Sequence, residues 1–462
     1  MPISFDNSFV NLPKTFFMRH DPVPVAAPAL IRFNHDLAEK IGVSVADFPV
    51  EALAGNTVPQ GAEPLAAAYA GHQFGTFVPQ LGDGRAVLLG EVVGPDGVRR
   101  DIQLKGAGRT YFSRGGDGRA ALGPVLREYI LSETMHRLGV PTTRALAAVI
   151  TGEQVQRETL LPGAIITRVA QSHLRVGSFQ FHYARQDTIA LQALTDYARK
   201  RHYPEAKTPL EFLDAVVEAQ AKLIAKWMHL GFIHGVMNTD NMSISGETID
   251  YGPCAFIDSY HPETVFSSID RKGRYAYANQ PGIGLWNLVQ LAQCLVPLVG
   301  EENIAALETS LNKYNDIYAT AYFSGFSQKL GLARQNVDFI EKTLKILADE
   351  GVDFTLFFRR LSYGLPVDDL FINPVTAQNW LREWAGLTAP DAIAAMKSVN
   401  PVFIPRNHRV EAALEAASQG DYSLFETLLE VLAKPFSEQP EFEQFEQAPA
   451  EHERVLATFC GT

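Results

Sequence analysis

Apolar residues fall in two different rhythms along this chain of 462 residues. Between residues 76 and 105 they come in short runs broken by glycine turns. Thr76–Leu81, Ala86–Val93 and Val98–Leu104 read as strands, divided by Gly82-Asp-Gly84 and Gly94-Pro-Asp-Gly97. In Leu122–Leu138 the apolar positions recur with a helical period, and Gly139 and Pro141 end the helix. Arg144–Thr151 and Gly163–Val169 return to strand. Beyond residue 185 the rhythm is helical. Glu211–Leu230 places Phe212, Leu213, Val216, Val217, Leu223, Ile224, Trp227 and Met228 on one broad stripe, closed by Gly231. Further helices are predicted over 283–298, 304–320, 335–350, 376–385, 407–418 and 421–433. A strand-rich half followed by a helical half predicts an α+β fold, with the site in the cleft between two lobes.

The order suggests four segments. Residues 1–60 are Pro-rich and irregular apart from one helix near 35–42, and form an N-terminal wrap. Residues 61–175 make the strand-rich lobe and 176–434 the helical lobe. Residues 435–462, rich in Glu, Gln and Pro, read as a mobile acidic tail carrying Cys460.

Composition narrows the function classes. The net charge of −12 disfavours a nucleic-acid partner. Residues 85–119 nevertheless hold seven Arg or Lys against four acids, a cationic island suited to a small polyanion such as a nucleotide phosphate. Three scattered cysteines make neither a disulfide framework nor a zinc site. The N-terminus has no signal core and no apolar run approaches a membrane span. The expectation is a cytoplasmic protein with no membrane partner, acting as a monomer.

The chemistry centres on His234-Gly-Val-Met-Asn-Thr-Asp240-Asn241 followed by Asp250-Tyr-Gly252. A kinase catalytic loop has His, a catalytic Asp, a later Asn and then Asp-Phe-Gly. Here Val236 stands where that Asp belongs. Asn241 and Asp250 are hard oxygen donors of the kind Mg²⁺ or Mn²⁺ takes. Asp240 is the nearest carboxylate able to act as base toward a hydroxyl. His234 orients the loop. Lys105, at a strand end, copies the kinase phosphate-binding lysine and needs a helix carboxylate. Glu128 is the first candidate and Glu133 the competitor. Gly82 and Gly84, before Arg85, are either a phosphate-approach turn or a plain hairpin turn. Arg109–Arg119, with Asp117 and Gly118, is a Gly- and Arg-rich insert that either grips a terminal phosphate or is a surface loop.

These motifs are long and ordered. Tyr69-Ala-Gly-His-Gln-Phe-Gly75, Gln80–Arg85, Gln103–Thr110, Ser113–Arg119, Arg127-Glu-Tyr129, Gly235–Met242, Asp250–Pro253 and Gln280-Pro281 together resemble the selenoprotein O family, the YdiU-type protein adenylyltransferase pseudokinases, over nearly the whole chain. The resemblance implies a protein-kinase-like bilobal fold with ATP bound inverted. AMP would go to Ser, Thr or Tyr hydroxyls of proteins and pyrophosphate would leave, with UMP transfer from UTP as a variant. It puts nucleotide contacts on Gly82, Gly84, Arg85, Lys105, Asp117, Gly118, Arg168, Arg175 and Asp250. It puts the Mg²⁺ or Mn²⁺ ligands on Asn241 and Asp250, the proton acceptor on Asp240, and the partner of Lys105 on Glu128. Cys460 occupies the place of the family's selenocysteine and suggests a redox pairing with Cys254, or with Cys294. A phosphotransferase and a nucleotide-gated scaffold are the competing classes.

Overall fold

The computed structural model describes residues 3–459, so the suggested redox role of Cys460 falls outside the described residues. The strands are β1 (Phe17–Arg19), β2 (Ala29–Phe33), β3 (Leu65–Ala67), β4 (Gly71–Gln73), β5 (Thr76–Val78), β6 (Ala86–Val93), β7 (Arg99–Lys105), β8 (Ala120–Ala121), β9 (Arg144–Gln156), β10 (Leu160–Ala170), β11 (Phe232–Ile233) and β12 (Ala255–Phe256). The main sheet runs β1-β3-β6-β7-β10-β9-β2, with β8 added on β10, and its pairs are antiparallel. Residues 17–33 therefore supply both edge strands. One expectation is corrected here. The strand read over Thr76–Leu81 is present but ends at Val78, and as β5 it pairs with β4 in a separate hairpin rather than with the strands that follow it. Three alternating residues specify a strand without specifying its partner.

The helices are α1 (His35–Ile41), α2 (Val50–Leu53), α3 (Leu122–Arg137), α4 (Val176–Tyr183), α5 (Thr188–His202), α6 (Pro209–Leu230), α7 (Gln280–Val299), α8 (Ile304–Lys329), α9 (Val337–Asp349), α10 (Phe354–Ser362), α11 (Pro374–Ala385), α12 (Ala392–Val399), α13 (Asn407–Ser418) and α14 (Ser423–Leu432). The long helix α6 starts where Thr208 accepts from the Glu211 N–H and Pro209 sits in the first turn. It stops at Gly231, whose φ of 69° is left-handed. Its apolar stripe is buried, and Val216, Val217, Leu288, Leu291 and Leu295 share one core with α7. Each such side chain, fully buried, contributes about 1.5–3 kcal/mol.

One face of the sheet is covered by α1 and α2, where Leu37, Ile41 and Leu53 meet Leu89, Ile102 and Ile165. The other takes α3, and α13 and α14 pack on that helix through Tyr129, Val410 and Phe425. Thus α3, which carries Glu128, is held on both sides.

Two further expectations are corrected. Residues 435–459 are laid against the helical half. Val402 N–H donates to the Pro435 carbonyl at 2.7 Å, Phe445 is buried, and Thr458 donates through N to Phe266 O at 2.7 Å and through Oγ1 to Pro253 O at 2.6 Å. Scattered aromatics and backbone pairing hold a segment whose composition alone reads as mobile. The absence of any span-like run also fails, because Tyr277–Val299 is long and apolar enough to cross a membrane, with a mean hydropathy of 1.5. Its buried face carries Asn287 and Gln290 beside Leu288 and Leu291, the mixture of a helix packed in a protein core.

Candidate active site

A cavity of about 810 Å³ opens between the sheet and the 236–253 loops. Seven cations line it (Arg85, Lys105, Arg114, Arg119, Arg157, Arg168, Arg175) against five carboxylates (Asp83, Asp117, Glu128, Asp240, Asp250). The cleft is thus net cationic in a chain of net charge −12. Every residue proposed above to touch nucleotide, metal or acceptor proton lines this one cavity.

β7 delivers Lys105 and α3 delivers Glu128. Lys105 Nζ lies 2.6 Å from Glu128 Oε2. The competitor Glu133 is occupied elsewhere, by Arg144 at 2.6 Å and by the Asn34 amide at 2.7 Å. Arg168, from β10, reaches the second Glu128 oxygen at 3.3 Å. Burial pulls the Lys105 ammonium below its usual range, against the opposing pull of Glu128.

Asp250 is the electrostatic hub. Arg168 Nη1 stands 2.6 Å from Oδ1 and Arg175 Nη1 2.9 Å from Oδ2, with Lys105 Nζ at 3.6 Å. Burial alone would raise this carboxyl. Arg175, Arg168 and Lys105 outweigh it and hold the group well below the ordinary carboxylate range. Asp250 also adopts φ of 61°, a left-handed conformation that costs a non-glycine residue about 1–3 kcal/mol and persists where the surroundings over-determine it. Asn241 spends its amide N–H on the Val236 carbonyl at 3.0 Å, leaving Oδ1 as its remaining polar atom. Asn241 and Asp250 are thus two hard oxygen donors on one cavity. No group of three His, Cys, Asp or Glu able to hold a metal occurs among the described residues. The pair fits the kind of Mg²⁺ site in which one or two side chains hold the ion and phosphate oxygens with water complete the shell.

Val236 is buried and puts no carboxylate on the cavity. Asp240 does. Its Oδ2 accepts from Gln73 Nε2 at 3.3 Å, while Oδ1 is buried without a hydrogen-bond partner. Burial pushes this carboxyl up to about 6, against the downward pull of Arg175. His234 is no part of the cavity lining. Its Nε2 donates to Ile249 O at 2.8 Å, and its backbone N–H donates to Gln280 Oε1 at 3.0 Å. It ties the Asp240 loop to the Asp250 loop.

The turn at Gly82–Arg85 is not a hairpin of the main sheet. A Cβ on Gly82, at φ of 76°, would stand 2.3 Å from the Phe112 ring. That contact seats the Arg109–Arg119 insert on the turn. Thr110 Oγ1 donates to Asp83 O at 2.6 Å, and Ser113 Oγ donates to Gly84 O. Asp117 pairs with Arg157 at 2.8 Å, and Gly118 accepts from Gly108 N–H at 3.0 Å. The insert is anchored rather than a loose surface loop. Arg85 faces the cavity with no ion pair among the described residues.

Several residues of the cleft carry no role in the sequence reading. Asp83 is buried, accepts from Ala67 N–H at 3.0 Å and Gln103 Nε2 at 3.2 Å, and burial raises its carboxyl. Gln103 in turn accepts from Arg168 Nη2 at 2.5 Å. Tyr69 lies under the Arg175 guanidinium, 4.6 Å from ring centroid to carbon. Arg157 holds Asp117. Of these, Tyr69, Asp83 and Gln103 stand inside the ordered motifs, which was the available signal. Arg157 stands outside them. Cys254 and Cys294 are both buried.

The comparisons extend these contacts to known proteins. A family model described as "Protein adenylyltransferase SelO" matches residues 1–433. The protein nucleotidyltransferase YdiU of Rhizobium etli (strain CIAT 652) is 55% identical over 487 residues, covering 99% of this chain and 97% of that protein. The YdiU proteins of Bradyrhizobium diazoefficiens and Ruegeria pomeroyi are 56% and 54% identical. The first covers 99% of both chains, the second 100% of this chain and 99% of its own. With a cationic cleft, a lysine–glutamate pair and an Asn–Asp oxygen pair on one cavity, the chain belongs to the SelO/YdiU family of protein adenylyltransferases.

Proposed function

We propose that this chain transfers AMP from ATP to Ser, Thr or Tyr hydroxyls of proteins and releases pyrophosphate, with UTP a second donor when Mn²⁺ is the ion. The two halves act as lobes of a kinase-like fold, with ATP inverted between them. The observation that carries this reading is the pair of arginines on Asp250. Arg168 and Arg175 are almost wholly buried and, with Lys105, set three cations around Asp250 on the cavity wall. Phosphates held on these cations lie close to Asp240, since Arg175 Nη1 also donates to the Asp240 carbonyl at 2.8 Å, and the inverted orientation turns the α-phosphate to that carboxylate.

The residues then divide the work. The Asp240 carboxylate takes the proton of the acceptor hydroxyl. A bond forms between that oxygen and the α-phosphorus, and the bond from the α-phosphorus to the bridging oxygen breaks. Pyrophosphate leaves with the electron pair, and Lys105, Arg168 and Arg175 neutralise its charge. Asn241 and Asp250 would hold Mg²⁺ or Mn²⁺, which supplies further neutralisation at the phosphates. A carboxyl pushed up to about 6 suits a base working near neutrality, since an ideal catalytic pKa lies near the operating pH.

The test uses ATP labelled on either the α- or the γ-phosphate, with a mixed pool of protein acceptors. α-Label on protein is the expected result. γ-Label would make the chain a phosphotransferase, and no label a nucleotide-gated scaffold.

A further inference from the structure

The hairpin β4–β5 belongs to no larger sheet, yet it is bolted to the loop that carries Asp240. His72 N–H donates to Thr239 Oγ1 at 2.6 Å, Phe74 N–H to Asn238 Oδ1 at 3.0 Å, and Gln73 Nε2 to Asp240 Oδ2. A Cβ on Gly71 would stand 2.7 Å from Asp240 Oδ1, so only glycine lets the hairpin approach this closely. The same Asn238 oxygen accepts from Tyr275 Oη at 2.6 Å, which draws the 269–275 turn to the same place. The Phe74 ring rests 5.1 Å from that of Tyr275, and Gln73, Phe74 and Ile269 line the cavity beside Asp240. Phe74 and Ile269 are nonetheless exposed, a combination that marks an edge where something else packs.

The charge at this edge is one-sided. Arg271 and Lys272 are exposed and have no ion pair among the described residues. The neighbouring acid, Asp270, is buried and consumed by the N–H groups of Arg274 at 2.9 Å and Tyr275 at 2.7 Å. Arg274 lies over the Trp286 ring at 4.8 Å. A chain of net charge −12 thus presents a cationic, aromatic lip beside its candidate base.

We propose that hairpin 71–78 and turn 269–275 form the acceptor-binding rim, and that it takes acidic segments of protein substrates. This rests on the adenylyl-transfer reading above. An acidic segment meets attraction at Arg271, Lys272 and Arg274 and repulsion from the acidic remainder of the surface, which steers it to one place. Its apolar side chains cover Phe74 and Ile269, and its hydroxyl faces Asp240. Gln73 is a positioning residue, holding one carboxylate oxygen of that base.

Two synthetic peptides test this, identical around one tyrosine and one serine but flanked by Glu in one and Lys in the other. With α-labelled ATP the Glu-flanked peptide should show a KM lower by about tenfold or more, a difference of one decade per 1.4 kcal/mol. The double variant Arg271→Glu/Lys272→Glu should reverse the preference at unchanged nucleotide affinity, which also shows that it folds. Gln73→Ala should lower kcat while nucleotide affinity holds. Equal KM values, no labelling of the Glu-flanked peptide despite α-labelling of other proteins, or a preference that survives the charge swap would overturn the rim while leaving adenylyl transfer intact. Transfer of γ-label alone would overturn adenylyl transfer and the rim with it.

Discussion

Glu128→Gln isolates the electrostatics of the cleft while preserving shape. Glu128 is buried and serves two cations, Lys105 at 2.6 Å and Arg168 at 3.3 Å. At an effective dielectric of about 20, the gross attraction at such distances is roughly 5–6 kcal/mol per pair. Desolvation of all three groups offsets much of it. Breaking one side of a buried pair nevertheless costs about 3–5 kcal/mol, because the surviving charge stays buried. Asp250, already 3.6 Å from Lys105, softens the loss, so the expected cost is about 3 kcal/mol in the nucleotide-free protein. The cleft changes from seven cations against five carboxylates to a surplus larger by one. ATP then supplies negative charge that the variant lacks, so it should raise the melting temperature of Glu128→Gln more than that of the parent. Turnover should still fall by at least about tenfold, because Lys105, no longer aimed by Glu128, meets the phosphates without holding them in the reacting geometry. Thermal melts with and without ATP, together with α-label transfer rates, read both effects. A variant as stable as the parent without ATP, or one that ATP stabilises no more than the parent, would refute the reasoning.

Three further outcomes are expected. Asp240→Asn should slow transfer by about 10²–10⁴ with nucleotide affinity retained, as befits a base rather than a binding group; full activity in rapid-quench assays would remove it from the mechanism. Asp250→Ala should abolish transfer and the response to added Mg²⁺ or Mn²⁺, checked by titrating each ion into chelator-treated protein. Glu247 gives a stability test outside the cleft. Burial pushes its carboxyl up to about 7, against hydrogen bonds from Ser245 Oγ at 2.7 Å and Gln171 N–H at 3.0 Å. Its folded value lies above its ordinary one, so its contribution is fully present below about pH 4.5 and lost as pH rises through 7. The total is roughly 3 kcal/mol at 1.36 kcal/mol per unit. Glu247→Gln should therefore narrow the gap in melting temperature between about pH 5 and about pH 8.5, and an unchanged gap would count against it.

Where local signals agreed, the elements were legible. The α6 stripe, its Thr208-Pro209 start and its Gly231 stop all point to one helix, and α3 and β6 follow equally well from period and turns. Among the helices that escaped, two show different reasons. α4 is buried on nearly every face, so no amphipathic rhythm marks it. α10 opens Phe-Thr-Leu-Phe-Phe, a composition that favours strand, and is fixed as helix by the Asp353 cap and by packing of Phe357 and Phe358. In the cleft, the pairing of Lys105 with a carboxylate on the next helix was readable from kinase-like order. The choice of Glu128 over Glu133 needed geometry, since Glu133 answers to Arg144 and Asn34 from other elements. The chain Asp83–Gln103–Arg168–Asp250 crosses four elements and leaves no periodic trace.

The valine at 236 and the arginines on Asp250 fit one physical arrangement. A carboxylate at 236 would stand on the cavity that already holds five, two of them, Glu128 and Asp250, bound to the same Lys105 and Arg168. Adding a sixth would remove half of the cationic surplus that attracts phosphate. A buried valine keeps the surplus and, on the proposed reading, leaves the base to Asp240, whose carboxyl burial pushes up to about 6 and whose Oδ2 accepts from Gln73. The loop at Asn238–Asn241 has in turn become the anchor of the 71–78 hairpin through Asn238, Thr239 and Asp240. On the proposed reading the base therefore sits where the hairpin packs against this loop. On the proposed reading, the valine at 236 and the hairpin packed on Asn238–Asp240 are two parts of one acceptor side.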